Sequence, residues 1–239
     1  MYDGMLNLQG EIVWPEESNA AKVLCFSSAL YLKARHRNPR CAYFQYFPDP
    51  RTLPVALQDG RLRGLFWNRT ASVNEGLIAR LCEATVFEEF TLHDAPDPGS
   101  GAQSFSGQLI QTCRFHRHGW WRNRRDYLDV LARHNVFFAP RFYEGIGMGM
   151  IEAMAMGVCV VAPDRPTQNE YVVHGQNGIL YDPLNPQPVN LNRALELGTS
   201  ARQSVARGFE KWLAAEDELL NFISVPTPAF DAMLSRCFA

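Results

Sequence analysis

Several features that define other protein classes are missing from this chain of 239 residues. No apolar run approaches the roughly 20 residues of a membrane-spanning helix. The N-terminal stretch MYDGMLNLQGEIVWPEE has no basic-then-apolar leader pattern. An excess of one charge is missing too: the net charge is −2, which speaks against a general nucleic-acid or membrane-surface role. The six cysteines (Cys25, Cys41, Cys82, Cys113, Cys159 and Cys237) form no C-x-x-C pair. They are scattered, mostly in apolar runs, and read as buried free thiols of a reducing cytoplasm. Lysine is scarce, 3 against 20 arginines, which is more a matter of composition than of chemistry. No G-x-S-x-G occurs, so an α/β-hydrolase is disfavoured.

What is present is an alternation of short apolar strands and amphipathic helices, with 46% hydrophobic residues. This is enough for one large domain, or one domain and a fragment of another. Strands are expected at 63–69, 87–94 and 108–116, with helices over 72–84 and 124–135, so the fold class is α/β. A loop rich in Gly, Pro and Ser spans 94–107. Residues 21–35 read as a strand running into a helix, and 41–54 as a strand leaving through a proline-rich turn. Residues 169–175 read as a helix and 178–182 as a short strand. A packing helix is expected over 201–223, with Val205, Phe209, Trp212, Leu213 and Leu220 on one face.

The most informative segment is 136–162, VFFAPRFYEGIGMGMIEAMAMGVCVVA. It reads as strand, glycine-bearing loop, helix and strand. The helix should begin near Ile146–Gly147, so its free N–H groups favour an anion at the loop. Glu144 and Glu152 lie eight positions apart, roughly 12 Å at a helical rise, so a diphosphate held there would have a carboxylate near each end. Carboxylates accept hydrogen bonds from sugar hydroxyls, and the residues suggest a nucleotide-sugar site. Gly145, Gly147 and Gly149, with Asp164 after the next strand, nearly make a dinucleotide fingerprint. The third glycine, however, should stand where Met150 is. The methionines at 148, 150, 154 and 156 read as core packing.

The segment resembles the donor-binding signature of GT-B glycosyltransferases of the retaining family-four type, the group 1 set. Pro140, Glu144, Gly145, Gly147, Glu152, Ala153, Met154, Ala155, Gly157, Val160, Val161 and Ala162 carry the pattern, and Cys159 departs from it where proline is usual. Downstream, Glu170, Gly175, Asn177, Gly178 and Asp182 follow in the usual order. The resemblance implies a Rossmann-like parallel sheet with helices on both faces. It divides the chain into the tail of an N-terminal acceptor domain (1–50), a nucleotide-sugar donor domain (51–200) and C-terminal packing helices (201–239). It also implies transfer of a hexose from a nucleotide-diphosphate sugar with retention. In that scheme Glu144 holds donor-sugar hydroxyls and Glu152 the ribose hydroxyls. Amides of Gly145, Ile146, Gly147 and Met148 bind phosphate.

Arg69, at the end of the first donor-domain strand, would hold the diphosphate, with Asn68 beside it as a further substrate-binding position. The family's lysine five residues later is replaced by Asn74, which puts turnover in doubt. Gly119 falls near the family's base-pocket turn, inside the basic and aromatic stretch RFHRHGWWRNRR (114–125). That stretch read alone also fits a solvated loop or single-stranded nucleic acid, though no nucleic-acid partner is expected. His116 and His118 have the spacing of a metal pair but no evident third ligand. No D-x-D pair occurs, and neither metal nor cofactor is expected. The implied partners are a nucleotide-sugar donor, a glycan or lipid-linked acceptor, and a protein supplying the missing acceptor domain. Surface polysaccharide assembly, at the inner face of a membrane, is the setting by analogy. The alternative is a non-catalytic nucleotide-sugar-binding or regulatory module.

Overall fold

The computed structural model describes residues 21–102, 104–106, 113–228 and 230–231. A small unit comes first: strand β1 (Val23–Cys25), helix α1 (Ser28–Arg35) and strand β2 (Cys41–Tyr43), the two strands pairing in parallel. A single 3-10 turn at Pro50–Thr52 then leads into the main sheet. That sheet comprises β3 (Arg63–Asn68), β4 (Glu89–Asp94), β5 (Arg114–His118), β6 (Val136–Phe138), β7 (Cys159–Pro163) and β8 (Ile179–Tyr181). Its order is β5-β4-β3-β6-β7-β8, and every pairing is parallel.

The helices are α2 (Glu75–Cys82), α3 (Arg124–Leu131), α4 (Met148–Met156), α5 (Gln168–Tyr171), α6 (Ala194–Ala214) and α7 (Glu216–Ser224). Strand side chains alternate between two cores, as a period of two requires. Leu65, Phe137, Val160 and Ala162 face α3, α4 and α6 on one side. Phe66, Val136, Phe138, Cys159 and Val161 face α2 and the start of α6 on the other. With both faces covered, the central strands read as continuous apolar runs, the usual signature of a buried parallel sheet.

The strand order reverses between β3 and β6, and open sheets of this kind bind ligands at the carboxyl ends of the strands beside such a switch point. The chain leaves β3 at Asn68 and β6 at Phe138, so Arg69 and the loop from Ala139 to Gly147 emerge side by side there.

Three expectations needed correction. The third strand is β5 at Arg114–His118, later than 108–116; residues 107–112 lie outside the described set. The helix near residue 170 is a single turn, because Asn177 takes over the backbone beyond it. Its Oδ1 accepts from Val173 N at 2.7 Å and its Nδ2 donates to Tyr171 O at 3.0 Å. The C-terminal helix is two helices broken at Ala215. Leu213, before the break, and Leu220, after it, are exposed, while Leu219 and Phe222 of the second helix are buried. Among the described cysteines all five are free, with Cys41 and Cys113 only half-buried; Cys237 lies outside the described residues.

The small unit docks on the C-terminal helices. Phe44 packs with Leu219 and Phe222, and Lys22 Nζ donates to the α7 carbonyl of Ile223 at 2.9 Å. Its other anchor is Glu170, which satisfies the first amides of α1: Ser28 N donates to it at 2.7 Å and Ala29 N at 3.2 Å. Ser27 Oγ donates to the same carboxylate at 2.7 Å. At the far edge of the sheet, β5 turns Arg114, His116 and Arg117 to solvent.

Candidate functional site

A cavity of about 660 Å³ opens at the switch point. Its floor is the loop after β6 and the first turn of α4. Gly147 caps that helix in the left-handed region, at φ 76°, and no side chain bonds the first amides. The positive φ calls for glycine, whereas a Cβ there would lie 3.3 Å from the flexible Met150 Cε and 3.7 Å from Glu144 Cβ, contacts that a small shift of the methionine end would relieve. Gly145, Ile146, Gly147 and Met148 all line the cavity. The uncapped N–H groups carry the positive end of the helix dipole.

The loop is held from behind. Thr167, a β-branched residue at φ 78°, sits in backbone space that such residues rarely adopt. Its Oγ1 donates to Glu144 O at 2.7 Å. The next side chain, Gln168, donates to Arg141 O at 2.9 Å. Strain of this sort persists only where neighbouring contacts over-determine it, and here those contacts fix the carbonyls of both Arg141 and Glu144.

The two signature carboxylates meet in the cavity. Glu144 is largely buried, 4.0 Å from Arg141 Nη1. Glu152, buried on α4, accepts from Arg124 Nη2 at 2.5 Å and from Arg124 Nε at 3.2 Å. Arg124 opens α3, where a cation opposes the helix dipole; Asn123 Oδ1 caps that helix by accepting from Asp126 N at 3.0 Å. The pairing with Glu152 is what holds Arg124 over the cavity.

Arg69 lies over the ring of Trp67, 4.3 Å from its centroid. It donates to Asp97 Oδ1, with Nη2 at 2.8 Å, and Arg141 pairs with the other oxygen of the same carboxylate. Burial pushes the Asp97 carboxyl up, but the two guanidiniums outweigh it and hold it below the usual range.

The far end of the cavity is aromatic: Trp67, Trp120, Trp121, Tyr127 and His93. His93 ends 4.7 Å from Trp67 and 4.9 Å from Trp121, centroid to centroid. Burial pushes its imidazole down to about 4, with backbone groups at His118 and Gly119 opposing. Among the described residues, neither of its ring nitrogens, nor Tyr127 Oη or Trp121 Nε1, has a hydrogen-bond partner of good geometry. Buried groups left in this condition ask for water or a ligand. Burial, with Glu152 next, raises the Tyr127 phenol far above its ordinary value.

Of the residues singled out from sequence, Arg69, Gly145, Ile146, Gly147, Met148, Glu144 and Glu152 converge here. Asn68 does not: its side chain is buried and donates to Asp94 Oδ1 at 2.9 Å, because strand alternation gives the cavity face to Trp67. Gly119 is exposed and outside the lining, although its neighbours Trp120 and Trp121 belong to it. Asn74 is the N-cap of α2, accepting from Leu77 N at 3.0 Å. His116 stands 3.7 Å from Glu89, and His118 packs on Trp121.

Sequence reasoning missed Arg141, Arg124, His93 and Trp67. Arg141 directly follows the signature proline, and His93 and Trp67 fall at the carboxyl ends of strands. Position alone would have nominated all three.

A family model described as "Glycosyl transferases group 1" matches residues 99–195. Sucrose synthase of Solanum tuberosum is 34% identical over 86 residues, 33% of this chain and 11% of that protein. Sucrose synthase 4 of Oryza sativa subsp. japonica is 35% identical over 71 residues, 29% of this chain and 9% of that protein. The similarity therefore spans about a tenth of the length of these curated relatives.

Among solved structures, TarM of S. aureus superposes with a TM-score of 0.64 at 18% identity, covering 88% of this chain and 45% of that chain. Anabaena HepE, solved with UDP and glucose, gives 0.64 at 16% identity, covering 84% and 64%. Sucrose-phosphate synthase from Thermosynechococcus elongatus gives 0.59 at 18%, covering 84% and 58%. These likenesses establish the fold. The matched segment holds the whole loop, α4 and β7 that floor the cavity, so this part of the chain is similar to the glycosyl transferases group 1 family, and the chain has a GT-B-type α/β fold.

Proposed function

We propose that the cavity binds a nucleotide-diphosphate sugar and that the chain is the donor-binding part of a retaining hexosyltransferase. The observation that carries this is the convergence of Glu144, Glu152, the uncapped start of α4 and Arg69 on one cavity at the switch point. The diphosphate lies against the α4 amides and Arg69. Glu144 takes sugar hydroxyls, and Glu152 takes ribose hydroxyls as Arg124 gives way. The aromatic end accepts the base. Hydrogen bonds that strengthen as charge grows on the departing diphosphate supply the rate gain, since only differential binding of the transition state accelerates chemistry. HepE was solved with UDP and glucose, and TarM with UDP and a GlcNAc-glycerol, which supports a UDP-linked donor and a glycan acceptor here.

The acceptor, a glycan or lipid-linked sugar, requires a facing domain. The β1–α1–β2 unit is the natural seat for a protein partner that supplies it, at the inner face of a membrane in surface polysaccharide assembly. A second reading, a nucleotide-sugar-binding module without turnover, is favoured by one observation: Asn74 serves as a helix cap, and no cation stands at that position.

The test is calorimetric titration with UDP, GDP and a panel of their sugars, with Glu152→Ala as control. Binding weakened by the substitution by about 1–3 kcal/mol, the scale of a charged hydrogen bond, supports the donor site. Absence of binding by folded protein sinks it. Turnover with a supplied acceptor domain, and the anomeric configuration of the product, decide between the two readings.

A further inference from the structure

A second cavity, of about 680 Å³, opens at the β8 edge of the sheet, between β8, the loop 182–193 and the start of α6. It matches the switch-point cavity in size, and no residue lines both. Its floor is apolar: Ile179, Val189 and Leu197 are all buried. Tyr181 lines it as well, only 5% exposed, and among the described residues its Oη has no hydrogen-bond partner. A phenylalanine would fill the same core without an orphaned hydroxyl, so packing does not account for the phenol.

The rim carries amides more than charge. Asn190 Oδ1 accepts from Asn192 N at 3.0 Å, and Asn185 Oδ1 accepts from Gln187 Nε2 at 2.8 Å. The loop thus orients both side chains by their oxygens and leaves each Nδ2 to donate to a ligand. His174 Nδ1 accepts from Leu180 N at 3.0 Å, which puts the ring proton on Nε2 as a further donor. Asp182 supplies an acceptor: one of its oxygens takes Leu184 N at 2.9 Å, and the other is left to a ligand. An anion is poorly served, because Arg193, the rim's arginine, is already paired with Glu196. A metal ion is served no better, since the described residues hold no group of three His, Cys, Asp or Glu.

An apolar floor, a buried phenol and a rim of neutral donors suit a polyhydroxylated ligand. Its C–H face lies on the floor, and its hydroxyls bond the rim. The loop is stiff, with Pro183, Pro186 and Pro188 each fixing φ. Val189 N donates to Leu81 O at 3.0 Å and pins the loop to α2. Little therefore has to be ordered on binding. We propose that this cavity is a second binding site, for a neutral saccharide, with Tyr181 Oη meeting a ligand hydroxyl. It stands independently of the donor-site reading, since the two cavities share no residue.

The test titrates the 15N-labelled chain with glucose, galactose, N-acetylglucosamine and maltotriose and follows its amide resonances. Tyr181→Phe removes the hydroxyl alone, and Asn185→Ala, on the exposed loop, serves if that variant does not fold. Shifts confined to residues 174–197, with an affinity about 3- to 10-fold weaker in the folded variant, support the site; that is the scale of one hydrogen bond. Shifts confined to residues 140–152 would place the sugar in the switch-point cavity and overturn the proposal. Affinity unchanged in Tyr181→Phe and Asn185→Ala overturns it as well. So does a wild-type chain whose resonances none of the four sugars moves.

Discussion

At the scale of single residues, the chain's response to acid rests on two buried imidazoles. Burial pushes His134 down to about 4, opposed by the Val130 carbonyl and Glu89 and reinforced by Arg63 and His116. His93 is pushed down to about 4 as well, with His118 and Arg69 nearby. Both are neutral in the fold, whereas the unfolded chain has the ordinary histidine value of about 6.5. The unfolded state therefore takes up protons first. The contribution is complete above pH 6.5 and drains away as pH falls toward 4. At about 1.4 kcal/mol per unit for each residue, urea denaturation should show a loss on the order of 3–4 kcal/mol between pH 6.5 and 5. His134→Phe should remove about half of that slope; an unchanged slope would assign the acid sensitivity elsewhere.

The same scale shows how much of the site could be read from the sequence. Glu144, Glu152 and the glycines between them are tied together by local spacing along one loop and one helix, so their meeting was legible. Trp67, His93 and Arg124 arrive from β3, β4 and α3, and only the sheet order brings them together. Asn68 shows the limit: one residue from Arg69 in sequence, it is turned away by strand alternation to Asp94.

At the scale of elements, helix α6 sits so close to the turn after α4 that one added carbon is not tolerated. A Cβ on Gly198 would lie 2.1 Å from the backbone oxygen of Gly157. Because that atom belongs to the backbone, Gly198→Ala must shift the helix, at a cost of about 2–3 kcal/mol by the measure of overpacked cores. Thermal unfolding should fall by roughly 4–12 °C for a chain of this size, with nucleotide binding retained at low temperature. A variant as stable as the wild type would show that α6 can move freely. Asn74→Ala is expected to cost about 1 kcal/mol through loss of the α2 cap and to leave nucleotide affinity unchanged in the same titrations; weakened affinity would place Asn74 at the ligand after all. Strand and helix types were legible because apolar periodicity is local. The break at Ala215 was not, since Trp212, Leu213 and Leu220 continue a helical spacing across it.

At the scale of the whole molecule, one carboxylate fastens the β1–α1–β2 unit to the sheet domain. Glu170 receives Ser27, Ser28 and Ala29 at the start of α1, while Gln45 Nε2 donates to its backbone oxygen at 2.9 Å. Glu170→Ala should remove about 2–3 kcal/mol of anchoring, the worth of charged hydrogen bonds at a helix N-terminus. Hydrogen exchange would read this as faster labelling confined to residues 21–47, with β3 to β8 unaffected. Uniform acceleration across the sheet would mean instead that the two parts unfold as one.

The arginine-bearing strand β5 has a consequence for the protein in concentrated solution. A flat outer strand is an invitation for a second chain to add its own backbone. Here Arg114 and Arg117 are paired with Glu88 and Asp94, so an incoming strand would meet charged, ion-paired side chains along that edge. The opposite edge, β8, has only three residues to offer. Strand-to-strand addition of copies is thus discouraged at both ends, and it should grow when Arg114 and Arg117 are replaced by apolar residues.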